Sequence, residues 1–306
     1  MSETVAVFSA SARPGLAAIR QLAAQGYRVR AVSRGANPAF ARCEVVSADL
    51  NDPASVRRAC EGADYVFFTS PTFTQRDRGE AHAAVMGEAA RAAGVRRLVY
   101  NTTSWHPDRL IGVPSMDRGY KRTKALQDSG VPLTVVRPSL FMDNLLTNWV
   151  KPHLLRTGEF AYPHKEDLDV SWICLDDVAR VMIQTIRSDA YAGEIIDVGG
   201  PEVLRPTQVT ALLEEVLGFP VRYRRLTPRE FGEVMHQLFE GVSEQSEDKY
   251  VSELEKHYEF KNATNPFHVP MEATAARLGM RFTPMREWLA TQDWSSQPAA
   301  VGSISG

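Results

Sequence analysis

The chain has 306 residues, with 35 basic and 37 acidic side chains and a formal charge of −2. Hydrophobic residues make up 44% and charged residues 24%, which excludes a wholly disordered or collagen-like chain. The balanced charge gives no electrostatic reason to bind nucleic acid, and apolar runs such as residues 63–69 fall far short of the roughly 20 residues a membrane helix needs.

Short β-rich runs and helical patterns alternate over the first 200 residues. Val5-Ala6-Val7-Phe8 predicts a buried strand. Leu16, Ile19, Leu22 and Ala23 mark one face of the helix that follows, which Gly26 ends. Residues 27–32 and 44–46 predict the second and third strands. Asp52 as N-cap and Pro53 in the first turn open a helix. Residues 65–69 predict a fourth strand and 78–93 a long helix closed by Gly94. A fifth strand is expected at 98–101, a helix at 116–128 and a sixth strand at 133–137. After Pro138 the rhythm changes. A helix is expected over Phe141 to Leu155, a short strand over 171–174, a helix over 176–187 and a strand over 194–198. Beyond the Gly199-Gly200-Pro201 turn the pattern is helical and irregular, with one basic strand at 221–224.

Strands alternating with helices predict βαβ units, and so an α/β fold with a Rossmann-like doubly wound parallel sheet. Residues 1–150 form the dinucleotide-binding-type part, to which 167–198 return. Residues 151–166 and 199–294 are expected to form a smaller C-terminal substrate-binding domain, and 295–306 are expected to be a disordered tail. No basic-then-apolar leader precedes the first strand. Cys43, Cys60 and Cys174 are scattered, with none in a C-x-x-C, so a reduced, cytoplasmic chain is expected.

The loop after the first strand reads Ser9-Ala10-Ser11-Ala12-Arg13-Pro14-Gly15. In a dinucleotide fold this loop presents backbone N–H groups and a helix N-terminus to a pyrophosphate. Gly15 is its only glycine, and the Cβ of Ala12 points into the space a pyrophosphate takes. Arg13 lies in the loop and Arg34 follows the second strand, where no Asp or Glu is placed to hold a ribose 2′-hydroxyl. A guanidinium matches phosphate oxygens, so the pair favours NADP(H) over NAD(H).

Several strings then occur in order: Val5 to Arg34, Ser47-Ala48-Asp49-Leu50-Asn51-Asp52, Asp64 to Phe68, Ala93 to Tyr100, Ser129 to Pro138, Phe141-Met142-Asp143-Asn144 and Cys174 to Ala179. Together they resemble the NmrA-like branch of the atypical short-chain dehydrogenase/reductases over residues 4–230, with a weaker echo at 276–280. The superfamily has glycines at the positions of Ser9, Ala12 and Gly15. The resemblance implies that Ser9, Ser11, Ala12, Arg13 and Gly15 form the cofactor loop, and that Arg13 and Arg34 meet the adenosine phosphate. It sets Asp49 and Leu50 beside the adenine, and Thr69, Ser70 and Pro71 along the ribose and pyrophosphate. Asn101, Thr102 and Thr103 fall where nicotinamide and substrate meet, with Pro138, Ser139 and Phe141 flanking that pocket.

Tyr120 and Lys124 form a Y-x-x-x-K, in which the tyrosine is a candidate general acid and the lysine its tuning partner. Ser104, 16 residues earlier, could polarise a carbonyl. In NmrA-like relatives the helix lysine falls about eleven residues before the glycine that closes the helix. Counting back from Gly130 reaches Gly119, and Lys124 is about 7.5 Å further along the helix. His106 is a second candidate donor. His82, His153 and His164 show no metal spacing. Asp176 and Asp177 are expected as a helix N-cap and a structural acid. Trp149, Phe160, Tyr162 and Trp172 either line an apolar pocket or fill the core. The reading is an NADP(H)-dependent reductase of a small carbonyl or enone compound, as a monomer or homodimer without nucleic-acid or membrane partners. Two alternatives stay open: a cofactor-independent cyclase, lyase or isomerase on the same scaffold, and an NADP-binding sensor without turnover.

Overall fold

The apolar runs pair side by side into one parallel sheet, because strands covered by helices on both faces need no polar alternation. The computed structural model describes residues 2–35, 37–70, 76–240 and 245–295. In chain order the first half comprises β1 (Thr4–Phe8), α1 (Arg13–Ala24), β2 (Arg28–Val32), β3 (Glu44–Val46), α2 (Pro53–Cys60), β4 (Tyr65–Thr69), α3 (Gly79–Ala92), β5 (Arg97–Asn101), α4 (Pro114–Asp128) and β6 (Leu133–Pro138). The second half comprises β7 (Leu140–Phe141), α5 (Lys151–Thr157), β8 (Glu159–Tyr162), β9 (Trp172–Ile173), α6 (Leu175–Ile186), β10 (Ile195–Val198), α7 (Pro206–Leu217), β11 (Arg222–Arg225), α8 (Pro228–Leu238), α9 (Glu247–Thr264), α10 (Glu272–Leu278) and α11 (Met285–Ala290).

Seven strands lie in the order β10-β6-β5-β4-β1-β2-β3, all parallel. The order reverses between β1 and β4, and ligands of such sheets bind above that point. One face of the sheet is covered by apolar residues of α1 and α6, such as Ile19, Leu22, Val178 and Ile183. The other is covered by α2, α3 and α4 through Val56, Met86 and Leu126. Asp52 caps α2 by accepting the Ala54 N–H, with Pro53 at the first position. A second core forms around Phe160, Tyr162, Trp172, Val209 and Trp288, where β8 pairs with β11.

Two expectations need correction. The helix over Phe141 to Leu155 is interrupted. Leu140 and Phe141 pair with Trp172 and Ile173, Met142–Leu146 form a short 3-10 turn, and α5 begins only at Lys151. The Thr147 hydroxyl donates to the Asn144 carbonyl, a local bond that competes with helix continuation. Asp176 does not cap α6. Its N-cap is Cys174, and the Leu175 N–H is held by Asp143 Oδ2 at 2.9 Å, while Asp176 pairs with Arg20. Asp177 is fully buried and accepts from the Thr283 amide and hydroxyl at 2.6 and 3.0 Å, tying the C-terminal segment to the sheet layer. The expected tail beyond Ser295 lies outside the described residues, as does Pro71. Among the described residues no helix is long and apolar enough to cross a membrane.

Candidate active site

A cavity of about 350 Å³ opens above the switch point, bounded by the β1–α1 loop, the ends of β4 and β5, and helices α4, α8 and α9. Ser9 has φ 56°, in the left-handed region that favours glycine, and its Oγ donates to the Thr69 carbonyl at 2.8 Å. Gly15 is packed beneath the loop: a Cβ there would stand 2.3 Å from the Ser9 carbonyl oxygen. The turn therefore keeps the torsion at its first position and the close approach at its last. Ala12, at φ −71° and ψ 154°, has a backbone open to any residue. No side chain caps α1, and its first turn holds no acid. The buried Ser70 Oγ, at the cavity wall, has no hydrogen-bond partner among the described residues. This N-terminus and hydroxyl suit an anionic pyrophosphate. Ser11 faces away from the cavity, toward Ser33.

The two arginines part company. Arg13 reaches across the cavity, donates to the Asp143 carbonyl at 2.7 Å and lies 3.9 Å from its carboxylate. Burial pushes the Asp143 carboxyl above its ordinary range, against the pull of Arg13. Arg34 is exposed at the end of β2. Arg34 thus stands at the outer end with Asp49, while Arg13 belongs to the middle of the crevice. The Asp49 carboxylate accepts from the Asn51 amide and side chain, both at 2.9 Å, which holds its pKa below the usual range. Asp49, Leu50 and Arg34 lie outside the cavity lining.

At the ends of β5 and β6, Asn101 and Pro138 stand behind the wall rather than in it. Asn101 Oδ1 accepts the Thr103 amide at 2.9 Å and supports Thr103 at φ 62°. Thr102 Oγ1 donates to the Ser104 carbonyl at 2.8 Å. These bonds turn Ser104 toward the cavity. His106 lies at the wall, but both ring nitrogens are engaged. Nδ1 donates to the Pro107 carbonyl and Nε2 accepts from the Thr123 hydroxyl, both at 2.9 Å. Burial lowers its pKa, so the ring is a neutral strut with no free proton to give.

Helix α9 closes the opposite side. Tyr250, Glu253, Leu254, His257, Tyr258 and Lys261 recur at helical spacing and all line the cavity. Glu253 accepts from Arg118 of α4 at 2.7 Å, and the His257 ring bonds the Ser115 hydroxyl at 2.8 Å. One turn further, Lys261 is 3% exposed and donates from Nζ to Ser104 Oγ at 2.6 Å. Its Nζ lies 4.5 Å from the Phe267 ring centroid. Among the described residues no carboxylate lies within ion-pair distance of it, and burial lowers its pKa to about 7.

The model of the NmrA-like family matches residues 1–289. The chain belongs to the NmrA-like family. This NmrA-like protein is 31% identical over 185 residues to an NAD(P)H azoreductase of Xenophilus azovorans, covering 60% of the chain and 62% of that relative. It is 34% identical over 185 residues to a (4-alkanoyl-5-oxo-2,5-dihydrofuran-3-yl)methyl phosphate reductase of Streptomyces griseus, with the same shares. The matched stretch thus spans under two thirds of either relative. Its fold is that of NmrA, a negative transcriptional regulator solved in complex with NADP, at a TM-score of 0.73 and 21% identity, covering 96% of this chain and 99% of that one.

Tyr120 is placed differently from the expectation for a donor. It shares a shallow surface groove with Asp77, Glu80, Lys124 and Asp128, outside the cavity. Lys124 is exposed and pairs with Asp128. The residue before Tyr120 is the one that faces inward: a Cβ on Gly119 would stand 2.7 Å from His106 Cβ. One residue turns a helix by about 100°, which carries Tyr120 off the cavity face. Trp149 and Tyr162 line the cavity, whereas Phe160 and Trp172 fill the core. The residue that sequence reading passed over is Lys261. Its signal was the stripe from Tyr250 to Lys261, which has a helical period but alternates aromatic and polar residues, unlike an apolar core face.

Proposed function

We propose that this NmrA-like protein is an NADP(H)-dependent reductase of a small carbonyl or enone compound. The observation that carries this reading is that the uncapped α1 N-terminus, with Arg13, and the Ser104–Lys261 pair open into one cavity. The first end suits a dinucleotide phosphate and the second a carbonyl oxygen. The names of both reductase relatives and the NADP complex of NmrA support it. Bound NADPH would supply the hydride. The chain's part is to hold the pyrophosphate at Arg13, Ser70 and the α1 amides, to set Arg34 beside a 2′-phosphate, and to hold the carbonyl oxygen at Ser104. Thr102 and Asn101 keep the Ser104 backbone in place. In this reading residues 1–150 with 167–198 carry the cofactor, while 151–166 with 199–294 cover the substrate. The chain acts in the cytoplasm as a monomer or homodimer.

A second reading, an NADP sensor without turnover, draws on the regulator that shares the fold. A buried ammonium beside a hydroxyl favours turnover. Titrating the protein with NADPH by nicotinamide fluorescence, then following cofactor oxidation over a carbonyl panel, tests both. Binding with carbonyl-dependent oxidation is expected. Binding without oxidation supports the sensor, and no binding rejects both in favour of non-redox chemistry.

A further inference from the structure

Two features stand at the α9 end of the cavity, the second of which also packs α8 against α9. The first is Lys261, a cation buried without a carboxylate partner among the described residues. Burying an unpaired charge is costly, and nothing in the sheet or the helix packing requires it. The second is the wall around it. Trp149, Phe231, Phe239, Tyr250, Tyr258 and Phe267 all face the cavity. Phe231 meets Tyr258 edge-on at 5.1 Å, and Trp149 lies 6.3 Å from Phe239. The acids in this lining are already committed: Glu253 to Arg118, and Asp143 to Arg13 and the Leu175 amide. Beside flat apolar faces, the chamber presents Ser104 and Lys261 as one hydrogen-bonded pair, with Ser115 and His257 as a second one turn away.

We propose that this chamber receives a planar aromatic carbonyl compound and that Lys261 protonates its oxygen while Ser104 holds that oxygen in place. The inference rests on the reductase reading above and names its substrate class and proton donor. As the carbonyl carbon is reduced, the π electron pair moves to oxygen. That oxygen takes a proton from the Lys261 ammonium: an N–H bond breaks, an O–H bond forms, and the neutral amine regains a proton from water. The positive head also faces the developing negative charge in a low-dielectric setting, where such stabilisation is strongest.

Among the groups around Lys261, His257 lies one turn earlier on α9 with its ring on the Ser115 hydroxyl, and the Lys261 ammonium is the one that touches Ser104. His164, tilted against Phe267 with ring centroids 4.7 Å apart, is held neutral, its pKa lowered by burial to about 3. Tyr162 and Tyr258, which flank His164, are pushed up by burial, Tyr162 to about 12. Ser104 does not titrate in this range. The reductase rate should therefore fall as pH rises through the lysine's pKa, because the donor loses its proton.

Two arms test this, and only one needs NADPH. In the first, lysines are reductively methylated with isotope-labelled formaldehyde, and the NMR signal lost in Lys261→Met is followed without cofactor. It should titrate near neutrality and move on addition of naphthaldehyde but not hexanal. The response should disappear in the Phe231→Ala/Phe239→Ala double variant. A signal that titrates in the ordinary lysine range, or that ignores naphthaldehyde, overturns the proposal. In the second arm, Lys261→Met should lower kcat for naphthaldehyde by about 100-fold or more, keep NADPH affinity, and abolish the loss of rate at alkaline pH. Lys261→Arg, which keeps the charge but cannot give up its proton in this range, should not restore the rate. Near-wild-type turnover in Lys261→Met overturns the proposal. If NADPH does not bind, the reductase reading falls, and the NMR arm alone decides whether the aromatic site and its lysine exist.

Discussion

Gly119 of α4 lies so close against the imidazole of His106 that a Cβ on it would come within 2.7 Å of His106 Cβ and 2.9 Å of Cγ. The helix position expected to carry a lysine in this family is thus filled by the ring of a neighbouring loop. Gly119→Ala must displace that ring and break its bonds to Thr123 and Pro107. Overpacking of this kind costs about 1–3 kcal/mol, partly offset by alanine's better helix propensity. A chemical denaturation series should show the net loss; an unchanged midpoint would mean that the loop yields freely.

Tyr120 and Lys124 face solvent in the groove beside Asp77 and Asp128. Tyr120→Phe and Lys124→Ala should each leave turnover and NADPH affinity within about twofold of wild type, as surface changes usually do. A large drop in kcat from Tyr120→Phe alone would restore the Y-x-x-x-K as the working acid.

The separation of Arg13 from Arg34 predicts different cofactor phenotypes. Arg34→Ala removes a contact that only a 2′-phosphate makes, and should weaken NADPH by about 10- to 100-fold while leaving NADH unchanged. Arg13→Ala, at the middle of the crevice, should weaken both alike. Fluorescence titration of each variant with both cofactors reads this out, and an equal loss of both on replacing Arg34 would displace it from the 2′-phosphate.

His164 is fully buried, and neither ring nitrogen has a hydrogen-bond partner among the described residues. With its pKa held near 3 in the folded state, it stays neutral while the unfolded chain takes up a proton below about pH 6.5. The unfolded state then binds more protons, so stability falls as pH drops from about 6.5 toward 3. His164→Phe should flatten that acid limb and raise stability at pH 7 by about 1–2 kcal/mol, since it removes unpaired polar atoms from an aromatic cage. Thermal melts across this pH range test it; an unaltered acid limb would assign the loss to carboxylates instead.

The sheet was readable because strands covered on both faces are plain apolar runs. Tyr65 to Thr69 begins and ends where the run does. β5 starts one residue earlier than its apolar run, at Arg97, whose guanidinium is buried against Thr134, the Thr185 carbonyl and Asp189. No local pattern announces such a partner 92 residues away. The stretch after Phe141 misled for a related reason: its pairing with Trp172 and Ile173 is set by tertiary contact and overrides helical spacing. The crevice followed from topology, and Ser104, Ser9 and Arg13 fall in it. Lys261 could not be placed by motif, because it meets Ser104 across 157 residues on a helix whose inner face is partly polar.

A glycine in a nucleotide loop is shorthand for a torsion angle, and Ser9 keeps the angle while changing the letter. The left-handed turn costs a serine about 1–2 kcal/mol, roughly what its hydroxyl recovers by tethering the loop to β4 through Thr69. Shape can therefore outlast spelling in this fold. A search by residue identity would discard loops of this shape, whereas one keyed to backbone geometry would retain them.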